Sequence, residues 1–347
     1  MWRLGPGASP RSRLGPRIST PCVRAHDAAE VFDGVPSLHD AKSAGIIARL
    51  HQDGASEPWP VSSEQQRGLV AALRILALHD AQIQQNVGRL EACTARHWPE
   101  LTTHLKLTRV TLLALLSRYG GPAAVARDPE GARELMKRVG GHMLADAKVE
   151  AVVTCAQTTF GMRQTDEEVR MVQAIAAECR RHQVASAKAR KHVERLSMSY
   201  EPSRNMAEVV GKTTSAVLTA SIGDARAYKS ASAYEKSFGL NLKEKSSGRR
   251  QGALRMTKRG PGIARKYLYL AVGRLLQRDA VIRAWYAKKI KRDAGRTHKA
   301  LVAIMRKLAR ALWHVARGEL FDATKLYDVS RLRLNATHAM EGATTDK

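Results

Sequence analysis

Apolar residues along this chain recur at helical spacing almost throughout. From Leu69, the series Leu69, Leu73, Leu76, Asp80, Ile83, Val87, Leu90 advances in alternating steps of four and three. That rhythm is the seam of a coiled-coil or long-hairpin helix, interrupted once by a carboxylate. A single amphipathic helix packed on its own domain satisfies the same seam, because it spans only about three heptads. Asp80 either sets register or partner choice, or sits in water at the seam's edge. A second long segment, Asp166–Leu196, is rich in Arg, Lys and Glu and is placed to form an antiparallel helical arm with the first.

Shorter helices are predicted at Ser37–Leu50, with Ser37 as N-cap, and at Leu101–Gly120, Pro129–Val139 and Ala145–Gln157. Pro58 and Pro60 break the chain around Trp59, and Pro202 closes the long helical region. Beyond it, Met206–Val210 and Thr213–Ser221 flank a turn at Gly211-Lys212, and Ser230–Phe238 follows. Helices at Ile263–Gln277, Ala280–Lys291 and Lys299–Ala316 complete the set, the last carrying an apolar stripe from Leu301 to Val315. No segment alternates convincingly as a half-buried strand does, so the fold class is mainly α. Residues 1–36 have no helical or strand period and read as a disordered or misassigned start; residues 331–347 read as a polar tail.

Charge then points to the partner. The 347 residues carry a formal net charge of +26, which puts polyanions first. The excess is concentrated: Lys243–Arg310 holds 21 lysines and arginines against three acids, a net +18. A basic block interleaved with apolar helical positions suits a folded nucleic-acid surface better than a loose tail. At 5% aromatic residues, clamping of a backbone is favoured over stacking on single-stranded bases. The four cysteines form no CxxC pair, which argues against a zinc site or a disulfide framework. No run of about eighteen apolar residues exists, so no membrane span is expected and the chain is assigned to the cytoplasm, close to the nucleoid.

Two stretches invite chemistry. Gly211-Lys212-Thr213-Thr214 contains the second half of a phosphate-loop signature, but Met206 stands where the first glycine is needed and no strand precedes it. A helix-hairpin-helix fits better, with Gly211 at the tight turn and Lys212 and Thr213 at a helix N-terminus suited to a DNA phosphate. A plain helical hairpin is the alternative. The second stretch sets Ser246-Ser247-Gly248 among Arg249, Arg250, Arg255, Lys258, Arg259, Arg265 and Lys266, ahead of Gly260-Pro261-Gly262. Cations that hold a phosphate while a hydroxyl attacks in line are the needs of phosphodiester cleavage. Solvated loop filler is the alternative. No histidine falls between Ser247 and His298, so a Ser-His-Asp triad is not suggested. Trp285-Tyr286 and Trp313-His314 read as packing residues.

The blocks VVGKTTSAVLTASIGDARAYKSASAYEKSFGLNL, SSG, MTKRGPGIARKYLYLA, RAWYAKKI and KALVAIMRKLARALWHVARG, in this order over roughly 205–320, resemble the C-terminal half of the insertion-sequence one-ten family of transposases. SLHDAKSAGIIARLHQDGASEPWPV is similar to the end of that family's nuclease domain. The resemblance implies a remnant of an α/β RuvC-like domain at 37–60, a helical or coiled-coil linker at 61–200, and a serine transposase domain with a helix-hairpin-helix at 201–330. It implies a DNA recombinase guided by a structured RNA, working as a homo-oligomer with Mg²⁺. Ser247 is then the nucleophile, Ser246 the fallback, and Asp40 the one metal-site acid that matches. The family's other acids have no counterpart on a strand-like pattern here; Ser37 stands where one is due, and Asp27, Glu30 and Asp33 lie outside any such pattern. The expectation is an N-terminally truncated or misannotated member. A non-catalytic nucleic-acid-binding remnant and a helical scaffold with incidental charge are the competing readings.

Overall fold

Sequence period dictates two long helices, and a computed structural model shows how they pair. It describes residues 18–19, 40–54, 57–58, 63–243 and 255–332. The chain divides into two compact units, Met1–Glu64 and Gln65–Lys347. In the first, helix α1 (Asp40–Gln52) buries Ile46, and strands β1 (Ile18–Ser19) and β2 (Glu57–Pro58) form a two-residue antiparallel pair. The helix begins three residues after Ser37, which lies outside the described residues.

The second unit starts with α2 (Glu64–His97) and continues through α3 (Leu101–His104), α4 (Val110–Tyr119), α5 (Pro122–Arg127), α6 (Pro129–Gly140), α7 (Asp146–Thr158) and α8 (Asp166–Ser197). Helices α2 and α8 run antiparallel. His79 Nδ1 lies 3.1 Å from His182 Nδ1, and Glu168 at the start of α8 faces His97 at the end of α2 at 3.5 Å. Gln65 reaches Ser199 beyond the far end, so register holds along the full length. The seam residues Leu69, Leu73, Leu76 and Leu90 are buried, each contributing ~1.5–3 kcal/mol. Asp80 accepts a 2.7 Å hydrogen bond from Ser186 of α8, so the polar seam position pins register within the chain.

Local chemistry explains the boundaries. Thr165 and Glu168 close a capping box at the start of α8. Asp128 accepts from the Tyr119 hydroxyl at 2.8 Å and caps α6 by accepting from the Gly131 amide at 3.0 Å; these two bonds hold its carboxyl below the usual range. The single helix expected over Leu101–Gly120 is split, because extended backbone at Leu105 lets Leu105 and Leu107 both enter the core. The long helix α8 ends at Ser197, shortly before Pro202. That proline sits in the first turn of α9 (Glu201–Val210), where its missing N–H costs nothing.

Then come α10 (Lys212–Ile222), α11 (Ala231–Ser237), α12 (Gly262–Arg278), α13 (Ala280–Arg292) and α14 (Thr297–Val315). Strands β3 (Leu242–Lys243) and β4 (Arg255–Met256) add a second two-residue pair, so the described chain is mainly α with two short ladders. Three apolar cores organise the unit. One gathers Leu90, Trp98, Leu115, Met136 and Val152, and another gathers Met206, Tyr234, Phe238, Leu268, Ile304 and Leu312. The third joins Leu69, Leu73, Leu76 and Val193 to Ala216, Val217 and Tyr267, which seats the helical pair on α10 and α12.

Candidate nucleic-acid site

Gly211 alone separates α9 from α10, with φ 81° and ψ 154°. L-residues avoid that conformation, and a Cβ there would also sit 3.0 Å from Arg274 Nη1. Arg274 reaches up from α12 to donate to the Val210 carbonyl at 2.8 Å and to Thr214 Oγ1 at 2.6 Å. The hairpin is therefore locked from beneath by a guanidinium. Helix α10 is buried from Thr214 to Ala220, while Lys212 is exposed and Thr213 half-buried. What the hairpin presents to solvent is a cation and a helix N-terminus, whose first-turn amides have no intrahelical acceptor. The Thr213 hydroxyl donates to Glu194 of α8, so a carboxylate already stands beside that N-terminus.

A two-residue ladder is formed by the residues that flank the serine stretch in sequence. Leu242 pairs with Met256 and Lys243 with Arg255; below them the Thr257 amide donates to the Asn241 carbonyl at 2.9 Å. Thr257 Oγ1 bonds Asn241 Oδ1 at 2.6 Å, and the Lys258 amide donates to the Gly239 carbonyl at 3.0 Å. The two glycines at the base have no room for a side chain: a Cβ on Gly260 would lie 2.4 Å from the Ser237 carbonyl, and one on Gly239 2.6 Å from the Arg259 nitrogen. Arg265 Nη1 donates to the carbonyls of Phe238 (3.0 Å) and Gly260 (2.8 Å), bracing the same base.

Around that base Arg255, Lys258, Arg259 and Lys266 are exposed, and Lys258 takes a positive φ of 55°. Helix α12 starts at Gly262 beside them, so its positive end adds to the same field. Ser246, Ser247, Arg249 and Arg250 lie outside the described residues, in the stretch of chain that joins β3 to β4.

Residues 207–287 match the family model described as Transposase IS116/IS110/IS902 family. Over that segment the chain is similar to transposases of the IS110 family. The match covers less than a quarter of its length and spans the hairpin, α11, the β3–β4 ladder, α12 and the start of α13. No curated protein sequence matches the chain significantly. Among the described residues, no helix is long and apolar enough to cross a membrane.

The metal expectation fares differently. Asp40 is the exposed first residue of α1, and among the described residues no three His, Cys, Asp or Glu side chains are grouped to hold an ion. One exposed carboxylate does not make a Mg²⁺ site, so the described residues do not fit that metal.

Several residues that carry no mark in the sequence pattern shape the site. Arg274 locks the hairpin and Glu194 approaches its mouth. Glu235 on α11 is 2% exposed and paired with Arg306 at 2.5 Å and with Arg310, both from α14. This buried carboxylate fastens α14 to the helix that leads into the ladder. Tyr267, buried between the helical pair and α12, has its phenol pushed up by burial and by the Asp80 charge. Trp313 and Trp285 are packing residues as expected: Arg317 lies 3.5 Å over the Trp313 ring, and Trp285 packs 4.7 Å from Tyr327.

Proposed function

We propose that this transposase-like protein cleaves and rejoins DNA phosphodiesters with Ser247 as nucleophile and a structured RNA as guide. The Ser247 oxygen attacks phosphorus and forms a serine–phosphate ester, while the bond from phosphorus to a deoxyribose oxygen breaks. The leaving hydroxyl takes a proton, and a second DNA hydroxyl later displaces the serine, so the number of phosphodiesters is unchanged. The observation that carries this reading is the braced ladder. Its strands flank the Ser246-Ser247 stretch in sequence, Arg255, Lys258, Arg259 and Lys266 are exposed beside it, and all lie inside the segment that matches the transposase family. Those cations, with Arg249 and Arg250, neutralise the phosphate and the charge that develops on it.

In this reading the Gly211 hairpin seats a neighbouring phosphate at Lys212 and Thr213, as a helix-hairpin-helix does. Copies of the chain assemble through the α2–α8 pair, on which Ile75 and Leu78 remain exposed. The test is covalent capture: the protein is incubated with element-end DNA, denatured, and protein-linked DNA is measured for the wild type and for Ser247→Ala. An adduct in the wild type that the variant loses supports the nucleophile. A second reading, a nucleic-acid-binding protein without catalysis, is favoured by the isolation of Asp40 among the described residues. Absence of adduct in both proteins, with DNA binding retained, selects it.

A further inference from the structure

Beyond the serine ladder, cations gather at a second place. Between Arg283 and Lys299 the chain has seven lysines and arginines and a single acid, Asp293. Helix α13 buries only Ile282, and Arg283, Lys288, Lys291 and Arg292 are exposed along it. The turn into α14 adds exposed Arg296 and Lys299. All but Arg283 of this group lie past residue 287, where the family match ends.

This corner is built to hold its shape. Ala294 (φ 52°) and Gly295 (φ 79°) are both left-handed, and the Gly295 amide donates back to the Ile290 carbonyl at 3.0 Å. A positive φ at a non-glycine residue costs free energy and persists only where surroundings enforce it. Asp293 accepts from Lys289 at 2.7 Å, which holds its carboxyl below the usual range. Its other oxygen lies 3.6 Å from Arg292 Nε, so the one acid of the corner is shared by Lys289 and Arg292 inside the turn, while Lys291, Arg296 and Lys299 stay exposed. Lys288 donates to the Arg331 carbonyl at 2.7 Å, and Arg331 is fixed by Asp328 at 2.8 Å. Between them lies a cavity of about 210 Å³, whose wall includes Trp285, Lys288, Arg292, Arg331, Leu332 and one carboxylate, Asp328.

The chemistry of the corner selects among partners. Protein partners need an apolar anchor at the centre of the contact. The exposed large apolar residues of the described chain, such as Ile75, Phe160 and Leu270, include none between Arg283 and Lys299. Cations on a fixed frame without such an anchor suit a repeating phosphate backbone. We propose that the α13–α14 corner is a second seat for the backbone of duplex DNA, separate from the serine ladder. It gives the protein two points of grip on the duplex, one where chemistry occurs and one that bears load. The inference rests on the reading that the chain binds DNA, and is independent of the serine mechanism.

The test is the salt dependence of duplex binding by the full chain. Lys291, Arg296 and Lys299 are replaced together by Ala, and a control replaces Arg138, Lys148 and Arg163, which remove the same charge from exposed positions on other elements. Each phosphate that the protein no longer neutralises lowers the slope of log K against log salt by about 0.9, so the corner variant falls by roughly 2–3 and binds at least about tenfold more weakly at moderate salt. The control slope stays at the wild-type value. Equal slopes for all three proteins, equal weakening in variant and control, or a defect confined to RNA with duplex binding intact, overturns the proposal. Wild-type protein that fails to bind duplex overturns it together with the DNA-binding reading. Adduct formation at saturating DNA is scored separately; the corner variant keeps it, and its absence in every protein sinks the serine mechanism alone.

Discussion

The front and back of the second unit handle charge in opposite ways. Residues 65–200 contain 20 lysines and arginines against 13 acids, and the acids are spent locally. Arg133 grips Glu150 at 2.9 Å, Lys137 meets Asp146 at 3.1 Å, and Arg170 pairs with Glu167. Residues 243–310 contain 21 against three, and two of those acids are inside the described residues and both turned to structure. Asp279 caps α13 through the Ile282 amide at 2.9 Å, and Asp293 holds Lys289. The front offsets most of its charge within and between its helices and is built to pack. The back ties some cations into the fold, such as Arg274 and Arg306, but keeps Arg255, Lys258, Lys266, Lys291, Arg296 and Lys299 exposed with few acids near them in sequence. Net charge per segment separates scaffold from working surface more sharply than helical pattern, which is alike in both.

The largest break in that contrast should come from Glu235, the acid that the basic half buries. Replacing it with Ala leaves Arg306 and Arg310 without their carboxylate and should cost about 3–5 kcal/mol in urea unfolding. A loss under about 1 kcal/mol would mean that α11 and α14 are held by apolar packing alone. Next is Gly211→Ala, which forces a side chain into left-handed backbone and against Arg274; about 1–3 kcal/mol is expected, with weakened duplex binding. Lys212→Ala should leave stability unchanged and lower the salt slope of DNA binding by about 1; an unchanged slope would reduce the hairpin to a plain turn.

In the front half, Asp80→Ala removes the hydrogen bond from Ser186 and should cost about 1–2 kcal/mol. The smallest effect belongs to the exposed pair Arg133–Glu150, where Glu150→Gln should barely move the unfolding midpoint at neutral pH. The Arg133 hydrogen bond holds the Glu150 carboxyl below its ordinary value, so its contribution is present above the normal carboxylate range and is lost as pH falls through the lowered value. Wild type and Glu150→Gln should therefore converge in stability at acid pH. Divergence there would show that the variant perturbs packing.

The helices were legible because a period of 3.6 survives in single residues such as Leu69, Leu73 and Leu76, whose spacing already names a buried face. Gly211 was legible for a similar reason, as a lone glycine between two apolar runs. The split after His104 was not, because Leu105 and Leu107 continue the apolar count while extended backbone inserts both. Arg274 and Glu194 stand 63 and 17 positions from the Gly211 turn, and only the packing of α8 and α12 brings them to it. Glu235 was hidden likewise. A lone acid in a short helix reads as solvated until α14 places two guanidiniums over it. The charge block was visible as a total, but its division into a ladder and a corner needed the turn at Ala294 and Gly295.

In the proposed reaction one serine between β3 and β4, Ser247, carries the chemistry. Protein-linked DNA, measured after denaturation with matched binding for wild type, Ser246→Ala and Ser247→Ala, tests it most directly. Adduct is expected in wild type and in Ser246→Ala and none in Ser247→Ala, whose duplex affinity is retained. Adduct that persists in Ser247→Ala would contradict that role.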